Sequence, residues 1–363
     1  MKTKRHGARA EDEMQASRNG MAFVFARAAI SLLLRSSLRV FILLLLTLFL
    51  SPSFYLAPPL QAQTAETIET VRVDTELVDL NVSVFSRGPR KGAGDLQQKD
   101  FAVFENGVQQ QVEFFASASA PFDLLLLIDL SGSTSKKLDL IRKSAQRFVD
   151  AARPTDRIGI VTFSDEPLVV SALTSNRDYL KEQIKLVREP RGGTNFWDSL
   201  RLVLESLFGP AGQSPVQYNR RAVVVMTDGV DNALPEVAGP GSMTTFPELL
   251  EIIRRSDTIV LPIYLDTEKE EVKRHRSPAS AYVLAREQLE QLASESGSTV
   301  YRANKLQDLE GVYEQVIRDL STVYSIGYRP VNRERDGAWR NITVQIIGHA
   351  DLAARTKRGY YAK

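Results

Sequence analysis

The sequence predicts an α/β fold in which a doubly wound, mostly parallel sheet with helices on both faces is inserted in, or flanked by, a small antiparallel β-sandwich. Three observations lead to this prediction. The length of 363 residues exceeds that of a usual single domain and indicates two folded units. All-apolar runs alternate with helical patterns through the middle of the chain, as in parallel sheets covered on both faces. On either side of this middle part, short alternating strands and turn signals replace the helices.

The first element is a targeting segment, residues 1–62, predicted to be a signal peptide or an N-terminal membrane anchor. Arginines precede the apolar run 40–50, which is short for a membrane span, and Ala62 offers a small residue at a cleavage point. We favour a cleaved signal. The body is then exported to a periplasmic, cell-surface or secreted location, and an uncleaved segment would attach it to a membrane. The site of translation start, at Met1, Met14 or Met21, stays open.

Residues 63–120 are predicted to be a β-strand region. Apolar residues alternate with polar ones over 78–84, which is typical of a half-buried strand. Asn106 and Gly107 lie between two apolar stretches, and this dipeptide is a strong signal for a β-hairpin.

Residues 121–320 are predicted to form the α/β domain, because apolar runs of strand length alternate there with helical periodicity. The predicted strands are FDLLLLID (122–129), RIGIVTFS (157–164), RAVVVMTD (221–228), TIVLPIYLD (258–266) and STVYRA (298–303). The predicted helices are 136–152, 177–187, 196–208, 247–256, 279–294 and 306–320.

Residues 321–363 return to strand patterns. Alternating apolar residues occur over 324–328 and 342–346, and Asp336 and Gly337 mark a turn between them. Because an independently stable sheet needs three or more strands, we expect these late strands to complete one β-sandwich with the early ones. Two separate small β-units are the alternative.

Composition excludes several classes of function. The chain has no cysteine, which removes disulfides, thiolate metal sites and cysteine nucleophiles. Only His275 and His349 lie beyond the targeting segment, so a histidine-rich zinc site is unavailable. Eight of the 46 Lys and Arg lie in the first 62 residues with only three acids, which leaves the rest slightly acidic. We therefore expect no nucleic-acid partner.

Oxygen-bearing side chains cluster where predicted strands end. Asp129, Ser131 and Ser133 follow the all-apolar strand FDLLLLID, Thr194 follows a Gly-Gly pair, and Asp228 ends another all-apolar strand. In an open α/β sheet, ligands bind at the carboxyl ends of the strands. Carboxylate and hydroxyl oxygens suit Mg²⁺, or else Mn²⁺ or Ca²⁺. An ion held mostly by neutral hydroxyls would keep surplus positive charge, and an Asp or Glu of a protein partner could complete its coordination.

These residues resemble the metal-ion-dependent adhesion site of von Willebrand factor type A domains. In that family the motif reads Asp-x-Ser-x-Ser with a distant Thr and Asp, and all five positions match, as Asp129, Ser131, Ser133, Thr194 and Asp228. The resemblance covers roughly residues 121–320. The flanking segments resemble exported, acidobacterial-type relatives of the family, a less specific similarity that implies little about function.

We expect an exported, divalent-metal-dependent protein-binding module, used for adhesion or as a scaffold, and not an enzyme. The alternative is a structural cell-envelope component whose metal only stabilises the domain, and a metal-dependent hydrolase is the third reading. The sequence has neither a phosphate-binding Gly-Lys-Ser/Thr loop nor a GxSxG motif. We expect Asp231 to serve turn geometry, and Phe196 and Trp197 to belong to the core rather than to the rim of the site.

Overall fold

The structure of the protein is a computed structural model that describes residues 77–87, 95–132, 138–188, 192–208, 219–274 and 277–362. All of these residues lie in one compact unit. The predicted signal or anchor segment, residues 1–62, falls outside them. Within the described ranges, no helix is both long enough and apolar enough to cross a membrane.

Strands and helices follow one another along the chain largely as the periodicity predicts. The strands are β1 (Val78–Ser86), β2 (Phe101–Glu105), β3 (Val108–Gln110), β4 (Val112–Ala116), β5 (Phe122–Asp129), β6 (Arg157–Phe163), β7 (Pro167–Thr174), β8 (Arg220–Thr227), β9 (Ile259–Leu265), β10 (Tyr301–Ala303), β11 (Val323–Tyr328), β12 (Trp339–Ile346), β13 (Leu352–Arg355) and β14 (Gly359–Tyr361). The α-helices are α1 (Leu138–Ala151), α2 (Arg177–Leu186), α3 (Phe196–Leu202), α4 (Phe246–Arg255), α5 (Glu268–Lys273), α6 (Ala279–Ser296) and α7 (Leu309–Leu320).

The central sheet has six strands in the order β10-β9-β8-β5-β6-β7, parallel except for the antiparallel edge strand β7. The predicted doubly wound α/β fold is therefore confirmed. β5 shows why the sequence folds this way, because Leu124, Leu126 and Ile128 belong to the core on one face and Leu125 and Leu127 to the core on the other. Each fully buried leucine contributes about 2 kcal/mol of hydrophobic stabilisation.

Strands from the two ends of the described chain pair with each other. One four-stranded sheet has the order β13-β1-β11-β4 and the other β14-β12-β2-β3. Leu80 pairs with Ile326 across the first sheet, and Val103 pairs with Val344 across the second. Residues of both sheets share one apolar core. The α/β part thus lies, in sequence, between strands that pair in the same antiparallel sheet.

In the α/β part, β7 and α5 were not predicted, and two predicted elements differ markedly from the structure. β7 was missed because Leu168 and Val169 are exposed at the sheet edge, so its residues show no clean alternation. α5 was missed because its sequence, EKEEVK, has no apolar stripe. The predicted strand 298–303 is only a three-residue strand, and the predicted helix 196–208 ends as a π-helical turn, Val203–Leu207.

Arg220 holds the junction where the chain passes between the α/β part and the antiparallel sheets. Its side chain is buried and donates hydrogen bonds to the carbonyls of Ala118 and Ala120, which precede β5, and of Val323, which begins β11. The guanidinium carbon lies 3.9 Å from the ring centroid of Phe122. Burial lowers the pKa of Arg220 to about 10. One side chain therefore joins the incoming and the outgoing segments.

Candidate metal site

Two of the predicted ligands lie side by side because β5 and β8 are neighbours in the sheet. Ile128 pairs with Met226, which places Asp129 at the end of β5 beside the end of β8. The Thr227 hydroxyl donates to Asp129 Oδ2 over 2.7 Å, and Asp228 follows directly after Thr227. The carboxyl ends of the two central strands thus bring both carboxylates to one edge of the sheet.

The first loop turns tightly after β5. Asp129 Oδ1 accepts a hydrogen bond of 2.8 Å from the backbone N–H of Ser131, and both residues are buried, Asp129 with 0% of its surface exposed. Burial raises the pKa of the Asp129 carboxyl above its ordinary value, and the charge of Asp231 acts in the same direction, while hydrogen bonds from Ser131 and Thr227 oppose the shift. Ser133, the third predicted residue of this loop, lies outside the described residues.

Asp228 is held by the loop that follows β9. Its Oδ2 accepts a hydrogen bond of 2.5 Å from the Thr267 hydroxyl, and its Oδ1 accepts one of 3.1 Å from the backbone N–H of Val230. The Tyr282 hydroxyl lies 3.4 Å from the Thr267 oxygen, and burial raises the pKa of Tyr282. Because Thr267 uses its proton on Asp228, the tyrosine is the donor of this second contact. The carboxylate therefore has a fixed orientation.

Thr194 is brought to the same edge by residues 192–195, which we call the Thr194 segment. The backbone N–H of Gly132, in the first loop, donates to the carbonyl of Gly192 at 3.4 Å. Asn232, in the loop after β8, accepts from the Thr194 N–H through Oδ1 at 3.1 Å and donates its own N–H to the Thr194 carbonyl at 2.9 Å. Thr194 is buried, with 6% of its surface exposed. Three loops therefore meet around the predicted ligands.

Two side chains lie close to the glycines of the Thr194 segment. A Cβ at Gly192, whose φ is +84°, would lie 1.9 Å from Asp165 Oδ2. A Cβ at Gly193 would lie 2.4 Å from Asn232 Nδ2. The Gly-Gly pair thus lets the backbone pass between Asp165 and Asn232.

Asp231 has a larger role than the predicted turn geometry. Its carboxylate does accept from Ala233 N–H at 2.8 Å, as in a local turn, but it also accepts from Trp197 N–H at 3.0 Å and from the Ser242 hydroxyl at 2.6 Å. It therefore ties the start of α3 to the loop after β8. Phe196 and Trp197 are buried in the core, as predicted.

Sequence reasoning missed the supporting residues of this edge. Asp165 and Asn232 follow the ends of β6 and β8, so their positions at strand ends were a usable signal. Thr227 and Thr267 had no such signal, because a threonine within or after an apolar strand is usually read as part of the strand.

The donor chemistry fits a hard divalent cation. The four described ligand candidates, Asp129, Ser131, Thr194 and Asp228, carry two carboxylates and two hydroxyls. Neither at this edge nor anywhere else in the described part of the chain do three or more His, Cys, Asp or Glu side chains form a group that could hold a metal ion. A site at this edge would therefore depend on hydroxyl oxygens as well as carboxylates, which suits Mg²⁺, Mn²⁺ or Ca²⁺ better than softer ions.

Comparison with solved structures returns several matches. Proximal thread matrix protein 1 from the mussel byssus is 16% identical, over 60% of this chain and 50% of that chain, with a TM-score of 0.42. The hypothetical protein BatB from Bacteroides thetaiotaomicron is 14% identical, over 55% and 98% of the two chains, with a TM-score of 0.40. The vWF domain of the type V pili tip protein Mfa5 from Porphyromonas gingivalis is 14% identical, over 55% and 94%, with a TM-score of 0.41. The chain thus spans about half the length of the mussel protein.

No curated protein sequence matches the chain. A family model does match it, over residues 123–315, which is more than half of its length. This range begins inside β5 and ends inside α7, so it includes the six-stranded sheet except for Phe122, and every loop that carries a candidate ligand. The chain belongs to the von Willebrand factor type A domain family.

Proposed function

We propose that the protein is an exported module that binds a divalent cation at the carboxyl edge of the sheet and, through this cation, an Asp or Glu side chain of a protein partner. The observation that carries the proposal is the convergence of three loops with buried oxygen donors at the ends of β5 and β8. Asp129, Ser131, Thr194 and Asp228 would hold the ion, together with Ser133.

A bound Mg²⁺ or Mn²⁺ would supply a Lewis-acidic position that a carboxylate can occupy. The residues of the chain would position the ion and leave part of its positive charge unneutralised. Asp129 and Asp228 both receive hydrogen bonds from neighbouring hydroxyls, which lowers the charge density of each carboxylate. A site with neutral hydroxyls as its remaining ligands then favours an anionic partner.

Export is proposed on the sequence of residues 1–62, in which basic residues precede an apolar run. Attachment to a membrane would depend on whether that segment is cleaved. The two antiparallel sheets would then support the α/β part outside the cytoplasm.

The experiment is a calorimetric titration of the purified protein with Mg²⁺ and Mn²⁺. We expect Asp129→Ala to weaken binding by 100-fold or more, roughly the loss expected for a direct charged ligand. Asp178→Ala is the matched control, because it removes one exposed carboxylate from the start of α2 and should leave affinity unchanged. If the wild-type protein takes up neither ion, the proposal is wrong.

The second candidate is a structural envelope component in which the ion only stabilises the loops. The extensive hydrogen bonding of these loops favours this reading, because it suggests that their order matters. Capture of a partner from a cell-envelope extract, with and without EDTA, separates the two. Loss of capture in EDTA and in Asp129→Ala supports the binding module, whereas unchanged capture with a lower Tm supports the structural role.

A further inference from the structure

We propose that Asp165 and Asn232 are positioning residues that hold the Thr194 hydroxyl in place for the ion. This inference rests on the proposed function, because it concerns the same ion. It goes beyond the five residues of the motif, since neither residue belongs to it. The geometry of the Thr194 segment, residues 192–195, carries it.

Asp165 and its neighbour Ser164 bind the residues on both sides of Thr194. Asp165 Oδ1 accepts a hydrogen bond of 2.6 Å from the N–H of Gly193. On the other side, the Asn195 amide donates to the Asp165 carbonyl at 2.7 Å and the Asn195 N–H donates to the Ser164 carbonyl at 2.8 Å. The turn between β6 and β7 thus holds the segment before and after the ligand candidate.

Asn232 binds Thr194 itself from the opposite side. Its Oδ1 accepts a hydrogen bond from the Thr194 N–H, and its backbone N–H donates one to the Thr194 carbonyl. The amide nitrogen of Asn232 also donates to the Ala238 carbonyl at 3.0 Å, which fixes the side chain within its own loop. With both backbone groups of Thr194 bound, its hydroxyl is the remaining polar group that could bind the ion.

The Gly-Gly pair explains why such support is needed. Glycines lose more conformational freedom on folding than other residues, so a segment that begins with Gly192 and Gly193 has little intrinsic preference for one conformation. A side chain at either glycine would displace Asp165 or Asn232 from its hydrogen bonds to this segment. The small glycines make room for Asp165 and Asn232, and these two residues in turn restrict the conformation of the glycines. The Thr194 hydroxyl is therefore positioned before an ion binds.

The test uses Mn²⁺ as the probe and the full protein, with affinity measured by calorimetry and the bound ion observed by electron paramagnetic resonance. We expect Asp165→Ala and Asn232→Ala each to weaken Mn²⁺ binding by about tenfold, the usual effect of removing a group that orients a ligand. Asp165→Asn keeps an oxygen that can accept from Gly193 and should stay within about threefold of the wild type. Equal losses in Asp165→Asn and Asp165→Ala would mean that charge, not position, is the cause, and would overturn the inference.

Asp198→Ala is the matched control. Asp198 also accepts two backbone hydrogen bonds, from Met243 and Thr244, but these lie outside the Thr194 segment. We expect it to lower stability without weakening Mn²⁺ binding. Thermal unfolding in EDTA shows whether each variant is folded, so a loss of affinity in a folded variant can be assigned to the site.

The double variant Asp165→Ala/Thr194→Ala gives the decisive result. If Asp165 acts through Thr194, the double variant should bind Mn²⁺ no more weakly than Thr194→Ala alone. The inference would be overturned if the fold-losses in Mn²⁺ affinity of the two single variants multiplied in the double variant, or if Thr194→Ala kept wild-type affinity. Neither result would count against the ion site itself. Failure of the wild-type protein to bind Mn²⁺ would instead remove the proposed function itself, so the two failures are distinguishable.

Discussion

Buried charged side chains at the two ends of the six-stranded sheet have different partners. At the carboxyl end, Asp129, Asp228 and Asp231 are buried carboxylates that hydroxyls and backbone N–H groups stabilise. At the amino end, Arg220 is buried against backbone carbonyls, and Arg157 forms a bidentate pair with Asp123. The carboxyl end therefore suits a cation, whereas the amino end is neutralised within the chain.

The difference assigns separate roles to the two ends. Buried carboxylates without a cation cost free energy, and a chain retains such groups where a ligand repays that cost. At the amino end, Arg153 and Arg220 both donate to the carbonyl of Ala118, in the segment that leads from the antiparallel sheets into β5. The amino end thus holds the chain together, and the carboxyl end has the buried carboxylates that the proposed cation would neutralise.

The largest expected effect comes from removing Arg220. We expect Arg220→Ala to lower the free energy of unfolding by about 3 kcal/mol, because three backbone carbonyls lose a buried donor. Urea unfolding at neutral pH measures this loss. Mg²⁺ affinity should not change, since the length of β8 separates Arg220 from Asp228 by about 25 Å.

Arg221→Ala is the control for this prediction. Arg221 also donates to a carbonyl, that of Phe208 at 2.6 Å, but its side chain is less buried and its ion pair with Asp257 is long, at 3.6 Å. We expect it to cost about 1 kcal/mol. Equal losses in the two variants would show that Arg220 has no special role at the junction.

The contrast between the ends was only half visible in the sequence. The carboxyl end could be predicted, because a strand such as FDLLLLID has a readable period and the polar residues after it must lie at its end. Arg220 gave no signal, because it is the first residue of an apolar strand and two adjacent arginines are usually solvent-exposed. Its role arises from the pairing of β4 with β11, which brings the segment before β5 close to the start of β11.

The same limit applies within the candidate site. Asp129 and Asp228 follow from strand order alone, whereas Asp165 and Asn232 act through backbone hydrogen bonds that depend on the path of the Thr194 segment. β7 was likewise unpredictable, since an exposed edge strand lacks the apolar pattern that burial imposes. Local periodicity predicts elements, and contacts between loops require the fold.

The second prediction concerns the free-energy cost of burying the Asp129 carboxylate when no ion is bound. We expect Asp129→Asn, measured in EDTA, to raise the free energy of unfolding by about 1 kcal/mol, because it removes a fully buried charge while keeping an oxygen that can accept from Ser131. Urea unfolding at neutral pH is the measurement. Asp139→Asn, at a side chain that is 97% exposed, is the control and should be neutral. A destabilised Asp129→Asn would mean that the carboxylate is needed for folding even without an ion.

The prediction with the smallest effect tests whether burial or hydrogen bonding determines the direction of the carboxyl pKa shift at Asp198. Burial alone would raise the pKa of Asp198, but hydrogen bonds from the Thr244 side chain and from the N–H groups of Met243 and Thr244 lower it below its ordinary value. A lowered carboxyl pKa stabilises the protein above the ordinary pKa of aspartate, and this contribution is lost as the pH falls through the lowered value.

We therefore expect Asp198→Asn to cost about 0.5 kcal/mol at neutral pH, opposite in sign to Asp129→Asn. The cost should shrink as the pH falls below about 4, where the wild-type carboxylate becomes protonated in the unfolded chain and then in the folded one. Unfolding of both proteins across this range measures it. A cost that did not vary with pH would assign the effect to side-chain shape, and the two aspartates would then differ in packing rather than in charge.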